Sequence, residues 1–154
     1  MTRGWGCQLS PAYLFPDDFF WGTAASAYQV EGNNRHTDWF AMEAAEQRKP
    51  PAKRRIKEPC GAACDHWRRY AEDYDLARQL GVQVHRLSVD WARVCPSRDE
   101  LDEGALEHYR EMLLALRSRG IKVMLCLSHL LCQKPSHGYI GRAAVDHSRE
   151  IPGL

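Results

Sequence analysis

Hydrophobic and polar positions along this chain repeat with two different periods. Apolar residues recur every three or four positions over residues 65–80 and again over 102–119, which predicts two amphipathic helices. Gly81 and Gly120 follow these stretches directly, and glycine commonly ends a helix. The two predicted stripes are Trp67, Tyr70, Tyr74, Ala77 and Leu80 in the first helix and Leu106, Tyr109, Leu113 and Leu116 in the second.

The stretches around these helices have strand character. Residues 82–91 alternate, with Leu87 and Val89 on one face and Arg86 on the other. Residues 121–129 are almost continuously apolar, as in a strand that is covered on both faces. A first strand is predicted to begin at Phe19 and to run through small residues into the polar positions 28–32. The order strand, helix, strand, helix, strand predicts a parallel α/β sheet.

The connection over residues 33–64 contains three weaker signals. Residues 38–46 predict a short helix with Asp38 as its N-cap, and Asp65 is the predicted N-cap of the helix that follows. The basic stretch 49–57 is either a patch for an anionic ligand or a solvated loop, and the lack of interleaved aromatic residues favours the loop. Cys60, Cys64 and His66 lack a second ligand pair at zinc-ribbon spacing, so a metal site is disfavoured.

Composition narrows the function classes. The chain has 154 residues, 44% of them hydrophobic, and a net charge of +1, so it should be globular and should bind neither nucleic acid nor membranes. It has no apolar run of the roughly 20 residues that span a bilayer, and residues 1–15 do not resemble a signal peptide. The six cysteines are therefore expected to be reduced thiols in a cytoplasmic protein.

Several motifs resemble one enzyme family. Residues 15–19 and 21–32 read FPDDF and WGTAASAYQVEG, and they resemble the N-terminal signature of glycoside hydrolase family 1, the β-glucosidases and β-galactosidases. Residues 84–96, VHRLSVDWARVCP, resemble the second block of that family. The runs EGALEHY at 103–109 and CLSH at 126–129 are also similar to family sequences.

The resemblance implies a fold and a partial site. Family members are (β/α)8 barrels, so the chain would be α/β and would supply the first three β/α units of an incomplete TIM barrel. The residues matching Gln29 and His129 bind hydroxyls of the nonreducing sugar in relatives, and Arg86 would lie beside the nucleophile. Amide and imidazole groups both donate and accept hydrogen bonds, and a guanidinium keeps a neighbouring carboxylate ionised. No metal or cofactor is implied, and the expected ligand is a β-linked sugar.

The resemblance does not cover the whole chain. We expect an N-terminal arm at 1–14, barrel sequence at 15–130 and a divergent tail at 131–154, with Leu130 where relatives have an aromatic residue. The family's two catalytic glutamates lie in Asn-Glu-Pro and Glu-Asn-Gly motifs, and the sequence contains neither motif. We therefore expect an inactive N-terminal fragment of a retaining β-glycosidase, poorly stable alone and prone to self-association through exposed strand edges. The alternatives are a non-catalytic carbohydrate-binding or interaction module and an unrelated small α/β domain.

Overall fold

The computed structural model describes residues 14–97 and 100–127, which form a parallel sheet with helices between its strands. The strands are β1 (Gly22–Ala24), β2 (Val84–Ser88) and β3 (Lys122–Cys126), and they lie side by side in that order. All pairings are parallel, with Thr23 opposite His85 and Arg86 opposite Met124. The predicted α/β alternation is thus confirmed for the described part of the chain.

Two long helices and several short ones connect the strands. The helices are α1 (Ala27–Glu31), α2 (Asp38–Gln47), α3 (His66–Gln79), α4 (Trp91–Val94) and α5 (Glu103–Ser118), and a 3-10 turn lies at Pro51–Lys53. Both predicted terminating glycines adopt left-handed backbone conformations, with φ of +75° at Gly81 and at Gly120. Glycine has no Cβ and takes this conformation without strain, so each long helix ends where the sequence predicts.

The hydrophobic core lies between the sheet and helices α3 and α5. Tyr74 and Leu87 are each 1% exposed, and Met112 and Leu116 are fully buried. Most of both predicted stripes therefore face this core, but Leu80 does not, since it is 80% exposed. Leu80 is the C-cap residue of α3 and lies past the last turn that packs on the described sheet.

The first strand begins later than predicted. Phe19 and Phe20 lie outside β1, which starts at Gly22. At that point the chain passes so close to β2 that a Cβ on Gly22 would stand 2.5 Å from Val84 Cγ1. The polar positions after β1 do not end that strand but form helix α1. This helix is followed by its C-cap residue Gly32, with φ of +81°. Similarly, Trp91 begins α4 and does not end β2, because the Asp90 carboxylate caps that helix.

Two predicted helix caps are also corrected. Thr37, not Asp38, caps α2, because its Oγ1 accepts a hydrogen bond from the backbone N–H of Phe40 at 3.0 Å. Asp65 precedes α3 but adopts a left-handed conformation with φ of +54°, and its side chain makes no capping hydrogen bond. Asp102 does cap α5 through the N–H of Ala105.

Candidate functional site

The carboxyl ends of the three parallel strands lie at one edge of the sheet. Helix α1 begins there, where the backbone N–H of Ala27 donates to Ser88 Oγ at the end of β2 at 2.8 Å. The N–H of Ala25 donates to the carbonyl of Arg86 at 2.9 Å. These bonds place the signature segment beside the end of β2, which is the edge at which parallel α/β enzymes bind ligands.

Gln29 follows β1 at this edge, and Arg86 lies two residues before the end of β2. Gln29 lies on α1, directly after β1, with its side chain exposed. Arg86 lies in β2 and is half-buried, and its Nη2 donates to Cys126 Sγ on β3 at 3.1 Å. His129, the third predicted site residue, lies outside the described residues.

A buried carboxylate anchors the signature segment to the protein interior. The Glu31 side chain is fully buried, and it accepts hydrogen bonds from the Tyr109 hydroxyl at 2.7 Å and from Arg93 Nε at 3.1 Å. Burial raises the pKa of Glu31 to about 7, although Tyr109 and Arg93 oppose that rise. Glu31 therefore ties helix α1 to both α4 and α5 inside the protein.

A second buried carboxylate extends this network. Asp90 is fully buried, and its backbone N–H donates to the Tyr109 hydroxyl at 2.9 Å. Its Oδ1 accepts from the N–H of Ala92 at 3.0 Å, and its Oδ2 accepts from Asn34 Nδ2. Burial raises the pKa of Asp90 above its ordinary value. Because Tyr109 donates to Glu31 and accepts from Asp90, one hydroxyl joins both carboxylate residues.

Arg93 completes the support of this segment. Its Nη2 donates to the carbonyl of Gly32 at 2.9 Å, and its guanidinium stacks 4.1 Å from the centre of the Trp67 ring. The same side chain thus contacts the end of α1 and the start of α3. The two residues that end α1 and follow it, Glu31 and Gly32, are thus both held by hydrogen bonds. These bonds fix the backbone of α1, which carries Gln29.

Comparison with known proteins identifies the family. The model of Glycosyl hydrolase family 1 matches residues 12–137. The chain belongs to this family. It is 34% identical over 134 residues to coniferin beta-glucosidase of Pinus contorta and 31% identical over 128 residues to a beta-glucosidase of Agrobacterium sp.. A beta-glycosidase structure from Pyrococcus horikoshii superimposes with a TM-score of 0.66 at 35% identity, over 77% of this chain and 26% of that one.

The match is long on this chain but short on its relatives. Against the two curated enzymes it covers 80% and 77% of this chain but only 25% and 26% of theirs. The chain therefore spans about a quarter of the length of these family 1 relatives.

The polar residues that support the family 1 signature are not all apparent from the sequence. Tyr109 falls on the apolar stripe of α5, where its ring is expected in the core and its hydroxyl has no predicted partner. Asp90 and Arg93 occur in the second family block, but the period of that strand does not indicate that they face Glu31. The sequence feature that could have indicated such partners is Glu31 itself, since a buried carboxylate requires hydrogen-bond donors.

The connection between α2 and α3 is held together by an acidic residue. Glu46 accepts from Lys49 Nζ at 2.6 Å and from the backbone N–H of Arg55 at 2.9 Å. These contacts, with that of Lys49 first, lower the pKa of Glu46 to about 2. Part of the basic stretch 49–57 thus folds back on one carboxylate of the same chain.

The described residues also include a small cavity and four cysteine thiols. The cavity, of about 160 Å³, is lined by Tyr28, Phe40 and Glu43 among others. Cys60, Cys64, Cys95 and Cys126 form no disulfide, whereas Cys7 and Cys132 lie outside the described residues. Over residues 14–97 and 100–127, no group of three or more His, Cys, Asp or Glu side chains could hold a metal ion, and no helix is long and apolar enough to cross a bilayer.

Proposed function

We propose that this chain is the N-terminal part of a retaining β-glycosidase and forms the first three β/α units of a (β/α)8 barrel. The observation that carries this proposal is the family match over residues 12–137, at about a quarter of the relatives' length. Three consecutive parallel strands with helices between them are compatible with the start of such a barrel.

The part of the site on this chain binds sugar and does not cleave it. Gln29 donates and accepts hydrogen bonds with hydroxyls of the nonreducing sugar, and His129 does the same from the end of the third strand. Arg86 lowers the pKa of the carboxylate nucleophile that the rest of the barrel supplies. Both catalytic glutamates lie in sequence that this chain lacks. The complete barrel would cleave β-linked glucosides through a covalent glycosyl-enzyme, which needs two carboxyl groups about 5–5.5 Å apart.

The network around Glu31 supports a preformed sugar subsite. Arg93 of this network holds the Gly32 carbonyl after α1, and Ser88 separately holds the Ala27 N–H at its start, so Gln29 is presented without an ordering step. This favours the second candidate function, a carbohydrate-binding module that acts without turnover.

Hydrolysis assays test the first function. The chain alone should not release nitrophenol from p-nitrophenyl β-D-glucoside. Mixing it with a separately produced remainder of a family 1 barrel should restore turnover, and Arg86→Lys should remove most of that turnover. Turnover by the chain alone would contradict the assignment of the catalytic glutamates elsewhere, and no turnover in the mixture would contradict the barrel assignment.

Binding assays test the second function. Cellobiose titrated into the chain alone should bind weakly, and Gln29→Ala should weaken binding about tenfold, the loss expected for about one hydrogen bond. Gln79→Ala is the matched control, since Gln79 ends α3 and is exposed. Equal binding by Gln29→Ala and Gln79→Ala would exclude Gln29 from the subsite.

The edges of the sheet also suggest how the chain behaves in solution. In the described sheet, β1 and β3 each pair with one strand only, and all residues of β1 are exposed. The exposed rings of Phe15, Phe19 and Trp21 contact one another, with centroids 4.6 to 5.0 Å apart. Unpaired edges and exposed aromatic rings favour association, so the average mass in sedimentation velocity should rise with concentration. A monomer with a sharp cooperative melt would contradict this expectation.

A further inference from the structure

Three buried polar atoms on helix α3 and strand β2 have no partner. Among residues 14–97 and 100–127, the buried side-chain nitrogen and oxygen atoms without a hydrogen bond are His66 Nε2, the Tyr74 hydroxyl and His85 Nε2. The three residues are 5%, 1% and 7% exposed, respectively. Buried polar groups in folded proteins almost always have a hydrogen-bond partner, so three exceptions in one place require a common explanation.

The three side chains form one cluster, which we call the His–Tyr cluster. The Tyr74 ring lies 5.3 Å from the His66 ring and 5.5 Å from the His85 ring, measured between centroids. The other nitrogen of each imidazole is already used. His66 Nδ1 lies 2.6 Å from Asp73 Oδ2, and His85 Nδ1 lies 2.8 Å from Thr23 Oγ1.

The hydrogen-bonding capacity that remains is mixed. The carboxylate of Asp73 accepts from His66 Nδ1, so in the neutral ring Nε2 is an acceptor. Burial lowers the pKa of His85 to about 4, so this ring is neutral at pH 7 and carries one donor and one acceptor. Burial raises the pKa of Tyr74, so its hydroxyl keeps its proton and can both donate and accept.

This mixture of hydrogen-bond donors and acceptors restricts which ligand the cluster can bind. An anion needs a donor from every group, and Nε2 of the neutral His66 ring does not offer one. A metal is not indicated either, because among residues 14–97 and 100–127 no group of three or more His, Cys, Asp or Glu side chains could hold one. A water molecule offers two hydrogens and two lone pairs, and buried waters typically make about three hydrogen bonds. We propose that the His–Tyr cluster is the binding site of one internal water molecule, which joins helix α3 to strand β2 through the two Nε2 atoms and the Tyr74 hydroxyl.

The proposed water would also stabilise the part of β2 that carries Arg86. His85 immediately precedes Arg86, and neighbouring residues of a strand point to opposite faces. The bridging water therefore braces β2 on the helix-covered face, directly behind the arginine on the other face. This inference stands on the orphan atoms of the His–Tyr cluster and does not depend on the proposed glycosidase function.

A crystal structure of the chain is the direct test. At a resolution at which waters are located, one density peak should lie within hydrogen-bond distance of His66 Nε2, His85 Nε2 and the Tyr74 hydroxyl. Direct hydrogen bonds among the three side chains, or a cluster without density between them, would overturn the proposal.

A pair of variants gives an energetic test in solution. Tyr74→Phe removes one partner of the water, so it should raise the equilibrium constant for unfolding about tenfold. Tyr70→Phe is the matched control, since Tyr70 lies one turn earlier on α3, is partly buried and should change the constant less than about twofold. A Tyr74→Phe constant that is unchanged or lower than that of the parent would overturn the proposal, because removing a hydroxyl without a partner is neutral or stabilising.

Discussion

Burial of the Glu31 carboxylate should give the chain an unusual dependence of stability on pH. Most carboxylates in proteins are stabilised in the charged form, and their proteins lose stability as the pH falls. Glu31 is the opposite case, because burial raises its pKa from the ordinary 4.5 to about 7 despite the hydrogen bonds from Tyr109 and Arg93. The folded chain therefore binds a proton at Glu31 over a pH range in which the unfolded chain has released it.

The sign and size of the effect follow from proton linkage. Between pH 4.5 and about 7 the folded state holds more protons than the unfolded state, so the free energy of unfolding falls as the pH rises. At about 1.4 kcal/mol per pKa unit, the difference between 4.5 and about 7 corresponds to about 3 kcal/mol. The Glu31 contribution to stability should be complete below pH 4.5 and lost above about pH 7.

The perturbation is Glu31→Gln, which keeps the shape of the side chain and removes its titration. Urea unfolding at fixed chain concentration, from pH 4.5 to 8, can be followed by the fluorescence of Trp67 and Trp91, which pack in the core. Over this range the free energy of unfolding of the parent should fall by about 3 kcal/mol more than that of Glu31→Gln. Glu72→Gln, at an exposed pair with Arg69, should keep the parental slope.

One result would refute this reasoning. If the parent and Glu31→Gln show the same dependence on pH, Glu31 is ionised throughout the range. The hydrogen bonds from Tyr109 and Arg93 would then outweigh the cost of burying the charge.

Two further predictions concern local structure, and the same urea assay at pH 7 tests both. Thr37→Ala removes the bond that caps α2 and should lower the free energy of unfolding by about 1 kcal/mol, with a smaller loss for Asp38→Ala; a larger loss for Asp38→Ala would show that the cap is misassigned. Leu116→Ala should lower the free energy of unfolding by about 2–5 kcal/mol, because Leu116 is fully buried. Leu80→Ala, at a position 80% exposed, should change it by less than about 0.5 kcal/mol. Similar losses in the two variants would place Leu80 in the core.

The sequence was sufficient to predict the elements whose pattern is set locally. Helices α3 and α5 lie within one or two residues of their predicted ends, because an apolar stripe and a following glycine define a helix without reference to the rest of the fold. The same holds for the existence of β2 and β3 and for their parallel pairing. The motif WGTAASAYQVEG was enough to suggest the family, since its residue types and their order are specific.

The ends of the shorter elements depend on contacts that a local pattern does not contain. Phe19 has strand propensity but lies outside β1, whose start is fixed by the close approach of Gly22 to Val84. Both Thr37 and Asp38 are good capping residues, and only the backbone conformation decides that Thr37 accepts the hydrogen bond. Leu80 fits the helical stripe by its spacing, but it lies past the end of the surface that would bury it.

The sequence by itself determined the order of the strands and long helices and the family. Only the tertiary structure showed that Gln29 lies on helix α1 and not at the end of a strand. The tertiary structure alone decided what holds Gln29 there. Glu31 and Tyr109 are 78 positions apart in the chain, and Tyr109 reads as an ordinary core residue until its hydroxyl is seen to contact both Glu31 and the backbone of Asp90. The physical reason is that a buried carboxyl group must find its hydrogen-bond partners wherever the fold brings them. Periodicity records which face of an element is buried but not what that face contacts.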